Sequence, residues 1–272
     1  MLVTTRAFSM LFAVLAVSLC GCSLIGGGKR PPVETIDVGA CNPTPCAKIT
    51  IENLPDLSER FPATARNAIR QRVDAALYLP IDDAAGEISL DRFVASVRDQ
   101  YEDYIALKDA ETKVEWNVTR AASVMFANDD IVSVSVTSVG YLGGAHGFND
   151  TTLLVFNGAT GAQLSWGDVI SADSRGVFLK AAEAEFRRAR GLRAGQSLVD
   201  AGFTFEDGSP FGLPGNFAVT DKGIVCHYNP YEVGPYVMGP TEFTVPMDVV
   251  GPSLNTNETA LKGLSQTEKQ LL

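Results

Sequence analysis

Apolar and polar residues alternate over 47–53 (AKITIEN), the period of a half-buried strand. From 61 to 80 the period lengthens. FPATARNAIRQRVDAALYLP sets Ala65, Ile69, Val73, Ala76 and Leu77 on one helical stripe, and Pro80 marks its end. A second helix is predicted over 90–107, with Ser89 as N-cap and Phe93, Val97, Tyr101, Tyr104 and Ile105 as its apolar face. Residues 113–127 (KVEWNVTRAASVMFA) are strand-like, NDD at 128–130 is a turn, and 131–141 (IVSVSVTSVGY) alternates apolar residues with serine and threonine. The two segments predict a hairpin. After GGAHG, a strand is expected over 151–156. NGATG at 157–161 is a turn, and 163–165 begins a return strand. A helix from 174 to 190 follows, with Asp173 as cap and Val177, Ala181, Ala184 and Phe186 on its buried side. Its arginine-rich end suits the negative pole of the helix dipole, and Gly191 closes it. Short strands are predicted at 217–220, 223–228 and 241–246, the first two joined by Asp221-Lys222-Gly223. Beyond 250 the apolar pattern fades into a tail. This order of elements is α+β, with helices packed on one face of a mostly antiparallel sheet.

The N-terminus follows another logic. Arg6 precedes an apolar run over 8–19 (FSMLFAVLAVSL). The run is too short to cross a hydrocarbon core of about 30 Å as a helix, and it fits the apolar region of a secretion signal. It ends in LCGC at 19–22, which resembles the bacterial lipobox: a leucine, then the small residue Gly21 at the cleavage position, then Cys22. This implies a signal peptide over 1–21 and lipidation of Cys22, with a membrane anchor worth about 0.8 kcal/mol per buried CH₂. The remainder is then expected outside the cytoplasm, periplasmic or at the cell surface, where disulfides persist. Residues 22–45, with three glycines in a row and a Pro-Pro pair, read as a flexible tether. The organisation is completed by an N-terminal α+β half over 46–110, a second half over 111–250, and a tail over 251–272. Cys41 and Cys46 flank NPTP and could close a small disulfide loop. Pairing of either with Cys226 stays open, although the apolar strand around Cys226 favours a buried thiol.

Composition narrows the class. Hydrophobic residues are 46% and charged residues 20% of the 272-residue chain, as in globular proteins. The net charge is −10, and loss of Arg6 with the signal makes it one unit more negative. That balance disfavours nucleic acid and anionic wall polymers as general electrostatic partners and steers towards cationic ones, although solubility alone also accounts for it.

Two stretches carry candidate chemistry. In YLGGAHGFND (141–150) the glycines permit close backbone approach around His146. A structural or ligand-contact role for His146 is expected. The catalytic alternative makes His146 a general base oriented by Asp150 with Ser138 as nucleophile, but no GxSxG elbow supports it. A metal held by His146 and His227, with Asp150 or Glu232, lacks any HExxH or paired-cysteine spacing. In NPYEVGPY (229–236) two prolines, a glycine and an asparagine fix an irregular loop bearing Tyr231, Glu232 and Tyr236. Either the tyrosines cover the sheet end and Glu232 accepts backbone N–H groups, or the loop is a rigid aromatic and acidic contact surface. A glycosidase-type carboxylate pair of Glu232 and Glu242 depends on their separation.

GGAHGFNDTTLLVFNGATGAQLSWGDVI (143–170) and FAVTDKGIVCHYNPYEVGPYVMGPTEFTVPMDVV (217–250) resemble the extracytoplasmic domain shared by RsiV-type anti-sigma factors and PdaC-type peptidoglycan deacetylases. The resemblance covers about 47–250, with the PdaC-like N-terminal half matching more loosely. It implies a binding domain: in RsiV-type receptors it binds lysozyme, and in PdaC-type enzymes it accompanies a separate catalytic domain. His227 stands where the family carries an apolar aromatic residue, so it is not expected to share a functional role. The expectation is an envelope lipoprotein with a non-catalytic binding module for cell-wall material or a lysozyme-like cationic protein. It takes no cofactor and contacts the membrane through its lipid. A peptidoglycan-directed hydrolase or deacetylase-related enzyme using His146, and a structural envelope lipoprotein without a specific ligand, are the alternatives.

Overall fold

The computed structural model describes residues 33–38, 46–82, 86–109, 113–205 and 208–255. Strands β1 (Val33–Val38), β2 (Ala47–Glu52), β3 (Trp116–Ala127), β4 (Ile131–Tyr141) and β5 (Phe148–Asn157) form one sheet in chain order. Neighbours are antiparallel except β2 and β3, which are parallel. A parallel pair needs a crossover. Here it runs through α1 (Ala63–Leu77) and α2 (Leu90–Ala106). The predicted stripes are the buried ones: Ile69, Val73, Leu77, Phe93 and Val97 pack on Ile49, Ile51, Val118, Val134 and Phe156. Ser89 caps α2, its Oγ accepting the Arg92 N–H at 3.2 Å.

Strands β6 (Asn216–Thr220), β7 (Gly223–Tyr228) and β8 (Thr241–Pro246) form a second, antiparallel sheet. With α3 (Trp166–Val169), α4 (Arg175–Ala189) and α5 (Met247–Val250) it encloses a second core. Phe186 of α4 meets the rings of Phe203, Tyr228 and Phe243 edge-on at 5.0, 5.8 and 5.9 Å, the favoured aromatic geometry. The architecture is the expected α+β class, divided over two sheets. They are joined at β6, where the fully buried Ser133 Oγ donates to the Val219 carbonyl (2.6 Å) and accepts its N–H (3.2 Å). The serine face of β4 is therefore buried at this end, which alternation alone does not reveal.

Several expectations are corrected. Residues 33–38, assigned to the flexible tether, form β1 and pair with β2 along their whole length. VETIDV alternates weakly, and pairing with a central strand supplies what its pattern lacks. The return strand over 163–165 reduces to one bridge between Phe156 and Gln163. A capping box of Ser165 and Asp168 then starts α3, and the bonds from Ser165 hold the Asp168 carboxyl below its ordinary pKa. Asp173 lies in a 3₁₀ turn and does not cap α4. The buried stripe of α4 is Phe178, Ala182 and Phe186, whereas Val177 and Ala184 are exposed. Residues 251–255, expected to belong to the 251–272 tail, are instead packed on the second core: Leu254 is buried and bridges Ile170. The 1–21 signal, Cys22 and Cys41 lie outside the described residues. No helix among the described residues is long and apolar enough to cross a membrane.

Cys226 is a free thiol buried in the second core, so it pairs with neither Cys41 nor Cys46. Burial pushes its thiol far above the ordinary range, which suppresses the reactive thiolate. Native protein is expected to leave Cys226 unmodified by a thiol reagent at pH 8, with labelling at that position following unfolding in urea. Rapid native labelling of Cys226 would contradict the buried setting.

Candidate functional site

The GGAHG connection joins β4 to β5, and the Asn229–Gly239 segment joins β7 to β8. The two meet. His146 is exposed, and its ring stacks on Tyr236 with centroids 3.7 Å apart and an interplanar angle of 17°. Tyr236 Oη donates to the Gly147 carbonyl at 2.8 Å. His146 Nδ1 lies 2.7 Å from the same carbonyl, and Nε2 lies 3.2 Å from Tyr231 Oη. A carbonyl only accepts, so Nδ1 carries the proton; in the neutral ring Nε2 then accepts from Tyr231.

Tyr231 is the strained member. Its φ is +72°, the only positive φ among the described non-glycine residues, and its side chain is 65% exposed. An L-residue in this region costs about 1–2 kcal/mol. Val237, on the same segment, is 90% exposed. The segment is held from below by Asn229. Its Oδ1 accepts the Thr151 N–H at 2.7 Å, and its Nδ2 donates to the Thr151 carbonyl at 3.0 Å. Asn229 thus supplies the edge of β5 with the donor and acceptor a neighbouring strand would otherwise bring. Glu232 closes the loop, accepting the Asn229 backbone N–H at 3.0 Å and its Nδ2 at 3.2 Å. Glu232 is therefore occupied within its own loop, whereas Tyr231, Tyr236 and His146 form one aromatic surface.

The inner side of the GGAHG connection rests on an aromatic trio. Trp116 lies 5.3 Å from Tyr101 and 5.2 Å from Tyr104, centroid to centroid. Gly143 covers it at φ +73°; a Cβ there would stand 2.8 Å from Trp116 Nε1 and 2.9 Å from the Tyr104 ring. Only glycine suits both the conformation and the space.

The residues of the catalytic alternative are arranged otherwise. Ser138 accepts from Arg120 Nε at 3.2 Å and stands opposite Asp150 across the β4–β5 ladder. Neither ring nitrogen of His146 bonds to Ser138 or Asp150. Burial raises the Asp150 carboxyl above its ordinary pKa, and Arg120 partly offsets this. Glu242 pairs with the buried His227, Nδ1 to Oε2 at 3.1 Å, while Glu232 serves its own loop. No group of three His, Cys, Asp or Glu side chains that could hold a metal occurs among the described residues. A groove of about 640 Å³ opens on α1 between Arg70, Asp74, Tyr78, Ile88 and Leu90, and none of these was a sequence candidate.

Residues 168–248 match the family described as a protein of unknown function, DUF3298. No curated protein matches the chain. Solved structures resemble it in fold. A member of the DUF3298 family from Bacteroides fragilis aligns at a TM-score of 0.67 and 19% identity, covering 88% of this chain and 98% of its own. A DUF3298 family protein from Pseudomonas aeruginosa aligns at 0.62 and 17% identity, covering 85% and 95%. The DUF3298 match runs from the end of α3 through α4 and the second sheet, including Tyr231, Glu232 and Tyr236, but not His146.

Sequence reasoning singled out His146 and the tyrosines separately. It missed Trp116 and Gly143 as the floor beneath the loop and Asn229 as its anchor. Asn229 opens the NPYEVGPY stretch, and asparagine at a turn was its one visible signal.

Proposed function

We propose that the chain is an envelope lipoprotein carrying a non-catalytic binding module, anchored through Cys22, with a Cys41–Cys46 loop at its entrance. Its contact surface is the aromatic cluster of Tyr231, Tyr236 and His146. The observation that carries this reading is Tyr231: an exposed tyrosine held at positive φ, where glycine would be free of strain. Strain retained at a surface side chain is what a functional contact explains, and rigid tyrosines anchor interfaces at low entropic cost. The target is cell-wall material or a lysozyme-like cationic protein, as the RsiV/PdaC resemblance and the negative net charge suggest. The engagement of Ser138 by Arg120 and of Glu232 within its own loop favours binding over hydrolysis.

The test is calorimetric titration of residues 23–272 with a C-type lysozyme and with peptidoglycan fragments at physiological salt. Saturable heat with one of them is the expected result; silence with both removes the proposal. Tyr231→Gly separates site from scaffold. It should raise stability by about 1 kcal/mol by relieving the backbone, measured by urea unfolding, yet weaken binding at least ~10-fold. Unchanged affinity would take Tyr231 out of the site.

A further inference from the structure

Two side chains beneath the GGAHG connection lack something. Trp116 Nε1 and Tyr101 Oη are both buried without a hydrogen-bond partner, in residues only 4% and 2% exposed. Buried donors are nearly always satisfied, and an exception calls for an explanation. What lies over the indole nitrogen is the bare Cα of Gly143, which brings no acceptor. Around the two donors stand three ring faces, those of Tyr101, Tyr104 and Trp116.

We propose that this trio is the floor of a ligand subsite for an N-acetylated glycan, closed by the GGAHG connection when empty. A pyranose offers an apolar C–H face to aromatic rings. Its acetamido carbonyl and hydroxyl oxygens are the acceptors that the indole N–H and the phenol O–H lack. The covering segment is suited to lift. Gly143, Gly144 and Gly147 give it freedom at both ends. Its outer side is held by the His146–Tyr236 stack and the bonds of Tyr236 and Tyr231 described above. Entry of a sugar under Gly143 and contact at Tyr231 therefore act on one segment from its two sides. This deepens the binding-module reading and rests on it, with different residues.

The experiment follows the indole N–H resonances of the full chain by NMR during titration with a tetramer of N-acetylglucosamine. The chain has two tryptophans, so loss of one peak in Trp166→Phe assigns the other to Trp116; should that variant not fold, Trp116→Phe makes the same assignment. The expected result is a saturable downfield movement of the Trp116 indole proton as it gains an acceptor. Tyr101→Phe should weaken the midpoint about five-fold, the loss of one neutral hydrogen bond. An indole proton that stays in place up to millimolar tetramer overturns the proposal, as does a midpoint that Tyr101→Phe leaves unchanged. Binding of lysozyme or wall fragments with the Trp116 resonance unmoved would retain the module and remove this subsite. Movement of that resonance with full affinity in Tyr231→Gly would retain the subsite and remove the tyrosine surface.

Discussion

Arg120→Ala is expected to destabilise the native state by about 3 kcal/mol, the largest single effect among the buried polar groups. Arg120 sits on β3 at 7% exposure. Its Nη1 donates to the Leu77 and Leu79 carbonyls at 2.9 and 2.5 Å, and its Nε donates to Ser138. Leu77 ends α1, so the guanidinium satisfies a carbonyl the helix leaves open and stands at the negative pole of its dipole. The guanidinium carbon lies 4.0 Å above the Phe93 ring, adding a cation–π contact. Burial costs part of this gain: it lowers the Arg120 pKa to about 10, with Asp150 opposing the shift. A base whose folded pKa lies below its unfolded value gains relative stability only where the native state sheds its proton first. That window opens above about pH 10, so the contribution of Arg120 should be flat from pH 6 to 9. Urea midpoints of wild type and Arg120→Ala across that range test both points. Arg120→Met, which keeps the stem against Phe93 but leaves the carbonyls unpaired, should recover only part of the loss. A loss below about 1 kcal/mol for Arg120→Ala would show that desolvation cancels the bonds.

Asn229→Ala is expected to cost about 2 kcal/mol and to abolish the proposed binding together with local order. One side chain ties the β7–β8 segment to Thr151 through a donor and an acceptor, and its Nδ2 also donates to Glu232. Without it, the Thr151 N–H and carbonyl at the β5 edge lose their partner, and Tyr231 loses the base that keeps it in its strained conformation. Hydrogen exchange at the Thr151 amide should accelerate well before the rest of β5 does. Asn229→Asp is the informative companion: it keeps the acceptor for Thr151 N–H but sets a carboxylate against the Thr151 carbonyl and against Glu232, so it should be no better than alanine. Wild-type exchange at Thr151 in Asn229→Ala would mean that the segment is held by other contacts.

Where local pattern and tertiary context agree, the chain is readable. The helical stripes of α1 and α2, the Ser89 cap and the turn before β7 all follow from residues within one or two turns of each other. Legibility ends where partners are distant. Ser133 looks like a solvent-facing serine until β6 is laid against it. The phase of α4 is set by the aromatic core around Phe186, and its four alanines and one valine leave more than one stripe possible. β1 has too few apolar residues to declare itself and depends on pairing with β2. The same holds for the candidate site. GGAHG and NPYEVGPY were each conspicuous, yet nothing in either says that His146 stacks on Tyr236; that follows from how the second sheet seats on the first. Trp116 and Tyr101 read as ordinary core residues because an unmet hydrogen bond has no sequence signature.

The pairing of residues 33–38 as β1 bears on how the proposed anchor would present the module. With the lipid anchor proposed for Cys22, only residues 23–32 separate the membrane from Val33, a leash of about 40 Å at full stretch. If 22–45 were all tether, it would be about twice as long. β1 then runs from Val33, opposite Glu52, to Val38, opposite Ala47, and Ala47 pairs with Trp116. The chain therefore enters part-way along the sheet and heads towards the end where Trp116, Tyr141 and the GGAHG connection lie. The contact loops lie beyond the Val38 end of β1, away from Val33; were the chain held to a lipid surface through Cys22, they would be displayed outward from it like a hand held at arm's length.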